Sequence, residues 1–114
     1  MASINTLTAS IKSSGAITEN RFITAAGAQT GANGNALGVA KYSVAAAGQV
    51  VPTLTLGIID VEAGGAISAG QPVASDSSGR AVFRDGTTYT VTLGRALNAV
   101  TAAGQFVQVH LIPN

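Results

Sequence analysis

The sequence predicts a small all-β fold, a β-sandwich or small barrel with internal pseudo-duplication, and three observations carry that expectation. No window sustains an apolar stripe at the 3.6-residue period, because every Ala-rich stretch meets a Gly within a few residues. Short runs alternate at period two instead. The clearest, Phe106 to Ile112, sets Val107, Val109 and Leu111 on one face and Phe106, Gln108, His110 and Ile112 on the other. An Ala-Gly-Gln turn also recurs, at Gly48, Gly70 and Gly104, and each time an apolar run follows. Gly takes positive φ there without a Cβ clash, so Gly48, Gly70 and Gly104 are the expected structural turns.

The repeat extends beyond the turns. Residues 37–56 laid over 93–112 without a gap share nine of twenty positions, from Leu37/Leu93 and Gly38/Gly94 through Gln49/Gln105 to Val51/Val107. Upstream, Gly15-Ala16-Ile17-Thr18 matches Gly65-Ala66-Ile67-Ser68, at an offset smaller by six residues. The second half therefore carries a short insertion, placed most simply between Asp76 and Thr88. The chain is expected to be one domain, since 114 residues hold one core and not two. Residues 1–14 form an extended N-terminal arm and residues 15–114 a single β domain, with pseudo-repeats at about 15–56 and 65–112.

Strand by strand, Thr53-Leu54-Thr55-Leu56 changes phase at Gly57, where a bulge or corner lets Ile59 and Val61 alternate against Asp60 and Glu62. Pro52 implies an edge or strand-end position. Asp76-Ser77-Ser78-Gly79 and Arg84-Asp85-Gly86 read as turns, the second a hairpin apex before a strand at Thr88 to Leu93. Residues 27–35, rich in Gly and lacking large apolar anchors, read as a flexible loop. The arm has two readings, a disordered terminus or, given Ile4, Leu7 and Ile11, a strand that augments a sheet edge on a partner.

Composition narrows the function. Charged residues make up 10% with a net charge of +1, and the six cations are scattered, which excludes a nucleic-acid footprint. A hydrophobic share of 46% excludes disorder. Much of that share is Ala, so the core of an isolated monomer is thin and an assembly is expected to cover surface. With no Cys there is no disulfide framework. The uncharged stretch between Lys41 and Asp60 is broken by Gly48, Gln49, Pro52 and Gly57, too often for a membrane helix. The start lacks a basic segment followed by an apolar run, so a cytoplasmic site of synthesis is expected.

No catalytic, cofactor or metal residues are expected. His110 is the only histidine, in a strand and without an orienting partner, and no nucleophile elbow accompanies it. Asp60, Glu62, Asp76 and Asp85 match no calcium loop and read as solvated carboxylates. The glycines near Gly31 and Gly34 lead into neither helix nor lysine, so they form no phosphate loop. Arg80, Arg84 and Arg95 read as ordinary surface or subunit-contact residues.

The ordered series Leu37-Gly38-Val39-Ala40, Ala46-Ala47-Gly48-Gln49-Val50-Val51, residues 57–73, Asp76-Ser77-Ser78-Gly79-Arg80, Leu93-Gly94-Arg95-Ala96 and Ala102 to Val109 resembles the small capsid cement, or head-decoration, proteins of tailed phages. That resemblance implies a compact β-clip or β-tulip-like fold. It implies a protein bound to the exterior of a phage head, as a homotrimer, stabilising the coat lattice. The partners implied are the major capsid protein and further copies of itself, with the arm pairing with coat strands. The loop at 27–35 and the segment from Arg80 to Thr88 depart from the pattern. The alternative is a β-clip small-ligand or glycan-binding module, which an exposed array of Thr53, Thr55, Thr88, Thr90 and Thr92 would favour.

Overall fold

Val50–Glu62 is rich in Val, Ile, Leu and Thr, residues that suit a half-buried pleated surface, and it forms the longest strand. The computed structural model describes residues 7–111. They form an all-β structure without a helix: β1 Leu7–Lys12, β2 Phe22–Ile23, β3 Gly38–Ala40, β4 Val50–Glu62, β5 Pro72–Ser75, β6 Ala81–Phe83, β7 Gly94–Ala96 and β8 Phe106–Leu111. The order across the sheet is β2-β3-β4-β8-β7-β5-β6, with β1 also on β4.

β4 belongs to both halves. Up to Leu56 it lies between β1 and β3, and from Gly57 it pairs with β8. The expected phase change occurs, but the bulge lies at Thr55 and not at Gly57: Thr8 opposes Leu54 while Leu7 opposes Leu56, and Gly57 follows with a φ of 126°. Each half then closes on itself. Ser14 N donates to Gly27 O at 2.9 Å in the first, and Gly64 N to Ala81 O at 2.7 Å in the second. The result is two small, nearly closed barrels joined through one strand.

The backbone repeats bond for bond. Ile17 bridges Val44 as Ile67 bridges Val100. Gly48 N donates to Ser13 O at 2.7 Å, and Gly104 N to Ala63 O at 2.9 Å. Gln49 Oε1 accepts Ala45 N and Ala46 N, and Gln105 Oε1 accepts Thr101 N and Ala102 N. The glutamine of the motif is thus a side-chain cap that holds the turn, with Gly48 at φ 87° and Gly104 at 90°. At the third turn Gly70 has φ 86°, and its counterpart in the first half is Asn20, at 61°.

The repeat also takes in β1. Lys12 opposes Val50 as Glu62 opposes Phe106, and Ile11 opposes Val51 as Val61 opposes Val107. The described part of the segment read as an arm is therefore a strand of this chain's own sheet. It fills the place that the second half of β4 fills in the other barrel. The insertion falls in two places: the offset between equivalents rises from 50 at Ile23/Val73 to 54 at Thr30/Arg84 and 56 at Leu37/Leu93.

Three local expectations change. Thr88 to Leu93 is not a strand; Asn33 holds it as an irregular segment, Oδ1 accepting Thr90 N and Val91 N at 2.8 and 2.9 Å. The same bonds pin the loop at 27–35, whose Thr30 is buried, so it is a joint between the barrels. Pro52 lies inside β4, opposite Ser10 and just past the end of β3. Its counterpart Gln108 donates its N–H to Asn98 Oδ1 at 2.7 Å, and Pro has no such donor to satisfy.

The cores differ. Ile17, Ile23, Ala40 and Val51, with Ile11 and Val44 against them, fill the first barrel. Their equivalents Val61, Ile67, Val73, Ala96, Val100 and Val107 fill the second, in one cluster with Phe22, Val39 and Leu54 from the outer side of the first. The first barrel's outer row is thereby buried on the second. The hairpin at 76–80 reinforces the joint, with Gly79 O accepting Phe22 N at 2.8 Å and Ser78 O accepting Gln29 Nε2 at 3.0 Å.

Candidate interaction surfaces

The polar groups singled out in the sequence are dispersed. His110 lies exposed on β8, opposite Ile58 on one side and Arg95 on the other. Asp76 is buried and committed: Oδ1 accepts Ser78 N and Arg80 N, and Oδ2 pairs with Arg80 Nε at 2.9 Å. Asp85 Oδ1 accepts Tyr89 N and Thr87 N, and these backbone bonds hold its carboxyl below the usual range. Glu62 pairs with Arg21 at 3.2 Å, which ties the first barrel to the end of β4. Among the described residues no three His, Asp or Glu come together as a metal site.

The remaining arginines are used locally. Arg84 Nε donates to Thr90 O at 3.0 Å, and Arg95 Nη1 to Gly70 O at 2.8 Å. The five threonines do not assemble into an array. Thr53 is buried, with Oγ1 donating to Val51 O, and Thr88 and Thr90 lie on the irregular segment.

What the surface does present is apolar and repeated. The turns at Gly48 and Gly104 are exposed, and the residue that leaves each is a large exposed hydrophobe, Val50 at 62% and Phe106 at 52%. Tyr42, Leu56, Ile58 and Leu97 are exposed as well. The sequence repeat already aligned Val50 with Phe106; their exposure was hidden because each begins a strand that otherwise alternates inward. Of the arm residues, Ile4 lies outside the described residues, and the Leu7 backbone pairs with Leu56. Ile11 packs its side chain against the first barrel's core.

One backbone edge is treated unequally. In the second barrel the free side of β4 is covered by Asn20, whose O accepts Glu62 N at 2.9 Å and whose Nδ2 donates to Asp60 O at 2.8 Å. The equivalent groups on β1 are Ser10 O and Lys12 N, and no described residue covers them in that way. An open strand edge is a template for pairing with another chain.

Among the described residues, the two fused barrels thus present apolar strand ends, capped turns and an open edge at β1. The family described as phage cement protein matches residues 1–111, and the chain belongs to that family. It is a phage protein with a capsid-associated structural role. No curated protein matches it by sequence. Among solved structures it is similar to the N-terminal base of the head fiber gp8.5 of bacteriophage phi29, with a TM-score of 0.72 and 20% identity, over 94% of this chain and 94% of that one. At that identity the likeness shows a shared fold.

Proposed function

We propose that this protein is a non-enzymatic decoration protein that binds the outer surface of a phage head as an oligomer, with the major capsid protein as its partner, and strengthens the coat lattice. Family membership over residues 1–111 carries the reading. The geometry supports it through exposed apolar residues at both ends of β4 and the open edge of β1, contacts that gain strength when repeated over a lattice. The N-terminal segment serves this function through the backbone edge of β1 and the residues before it, since Ile11 is engaged in the core. A homotrimer is the expected form.

Heads prepared without the protein test this. Added protein should sediment with them and raise the temperature at which they release DNA. Protein that stays in the supernatant, with heads equally stable to heat, overturns the proposal.

A further inference from the structure

The repeat places the same surface twice on one chain, at opposite ends of β4, and the two copies differ in charge. Among the described residues, two lysines lie outside any ion pair at one end and one such carboxylate, Asp60, at the other. At the first end the outward positions are Ser10, Pro52 and Lys41 in one row and Lys12 with Val50 in the next. At the second end their equivalents are Asp60, Gln108 and Leu97, then Glu62 with Phe106. Lys12 answers Glu62, Ser10 answers Asp60, and Val50 answers Phe106. Lys12 and Lys41 form no ion pair among the described residues, and neither does Asp60. Glu62 is paired with Arg21, so Asp60 carries the unpaired charge of its end, and Arg95, in the next outward row opposite His110, donates to Gly70 O. Each patch is centred on exposed apolar surface: Val50, with Tyr42 following Lys41, at the basic end; Phe106 and Leu97, the latter 45% exposed, at the acidic end. Glu19 lies on a neighbouring turn outside both sets of rows.

We infer that the basic end of one copy, Lys12, Lys41 and Val50, docks on the acidic end of a second copy, Asp60, Leu97 and Phe106. The inference rests on the oligomer proposed above and names its interface. Two patches of related shape and opposite sign suit each other better than either suits itself, because like charges facing across a contact repel. Using two different patches makes the contact heterologous, so copies join head to tail and close into a ring or continue as a filament. A coat subunit as the occupant of the basic end is the competing outcome.

The test is a mass measurement on the full chain without heads, by analytical ultracentrifugation at micromolar concentration. Wild-type protein should be oligomeric at low salt and weaken at about 0.5 M salt. K12E/K41E should weaken association about tenfold or more, and so should D60K alone. The triple variant K12E/K41E/D60K should recover association, a reversal that misfolding does not produce. Circular dichroism and melting of each variant confirm that exposed positions were changed in a folded chain. A monomeric wild type, an unchanged mass for K12E/K41E, or no recovery in the triple variant overturns the inference. If K12E/K41E keeps its mass but loses binding to heads, the basic end faces the coat, and the inference fails while the proposed function stands. Failure of wild-type protein to bind heads is read separately and bears on the function alone.

Discussion

The two barrels share a backbone, a turn chemistry and a strand, yet they treat the same row of residues in opposite ways. Phe22, Val39 and Leu54 on the first barrel are buried, and their equivalents Pro72, Arg95 and His110 on the second are half-buried or exposed. The first barrel is stacked on the second, and the second ends the stack with a more polar row. A duplicated unit needs only one such change of face to remain a finite body, as capping repeats do in longer arrays.

That asymmetry predicts unequal costs at equivalent sites. Phe22→Ala removes a fully buried ring at the joint and should cost about 3 to 5 kcal/mol, whereas Pro72→Ala should cost under about 1 kcal/mol. Chemical denaturation of the two variants measures both, and equal losses would break the comparison. Gly38 should rank next. A Cβ there would lie 2.1 Å from Leu54 O, where β3 crosses close to β4, so Gly38→Ala should cost about 3 kcal/mol. A Cβ at Gly94, the counterpart, would lie 2.5 Å from Val109 Cγ1 and 2.6 Å from His110 O, so Gly94→Ala should be nearly as damaging. A wild-type melting temperature for either variant would show that the strands do not approach so closely.

The turns should behave alike. Gly48 and Gly104 have matching φ and open space around the missing Cβ, so replacing either by Ala should cost only backbone strain, about 1 to 2 kcal/mol. Thermal melts that differ by much more than about 0.5 kcal/mol between the two would show that one turn bears a further role. The smallest effect belongs to the 85–92 segment of the second barrel, two residues longer than its counterpart in the first (offsets 56 and 54). The Asp85 carboxyl is held below its ordinary range by Tyr89 N and Thr87 N, so its contribution to order is present above the unfolded carboxylate range. It is lost as pH falls through the lowered folded value. Amide shifts of Thr87 and Tyr89 should move together in that acid window, and shifts that follow the ordinary carboxylate range would remove the Asp85 cap.

The parts of this structure written in local chemistry were legible in the sequence. The Gly48 and Gly104 turns, the inward alternation of Val107, Val109 and Leu111, and the corner at Gly57 follow from φ preference and pleat period. What escaped depends on pairing across distance. Thr8 to Lys12 shares no identity with Ile58 to Glu62, so nothing local marks β1 as the first strand of the repeat. The loop at 27–35 lacks large side chains, and Asn33 anchors it through hydrogen bonds to Thr90 and Val91, residues far along the chain. The threonines at 88–92 alternate like a strand, and those bonds to Asn33 outweigh the propensity. For the surface, Val50 and Phe106 aligned in the sequence, but the opposite charges beside them were visible only once β1 was matched to β4.

In the function proposed above, this two-barrel body sits on the outside of a phage head. Reconstructions of heads with and without the protein, compared at subnanometre resolution, test it most directly. Difference density is expected on the outer surface that accepts the body of 36 × 35 × 24 Å, with the open edge of β1 turned to the coat. Difference density confined to the interior or the tail, or none at all, would contradict it.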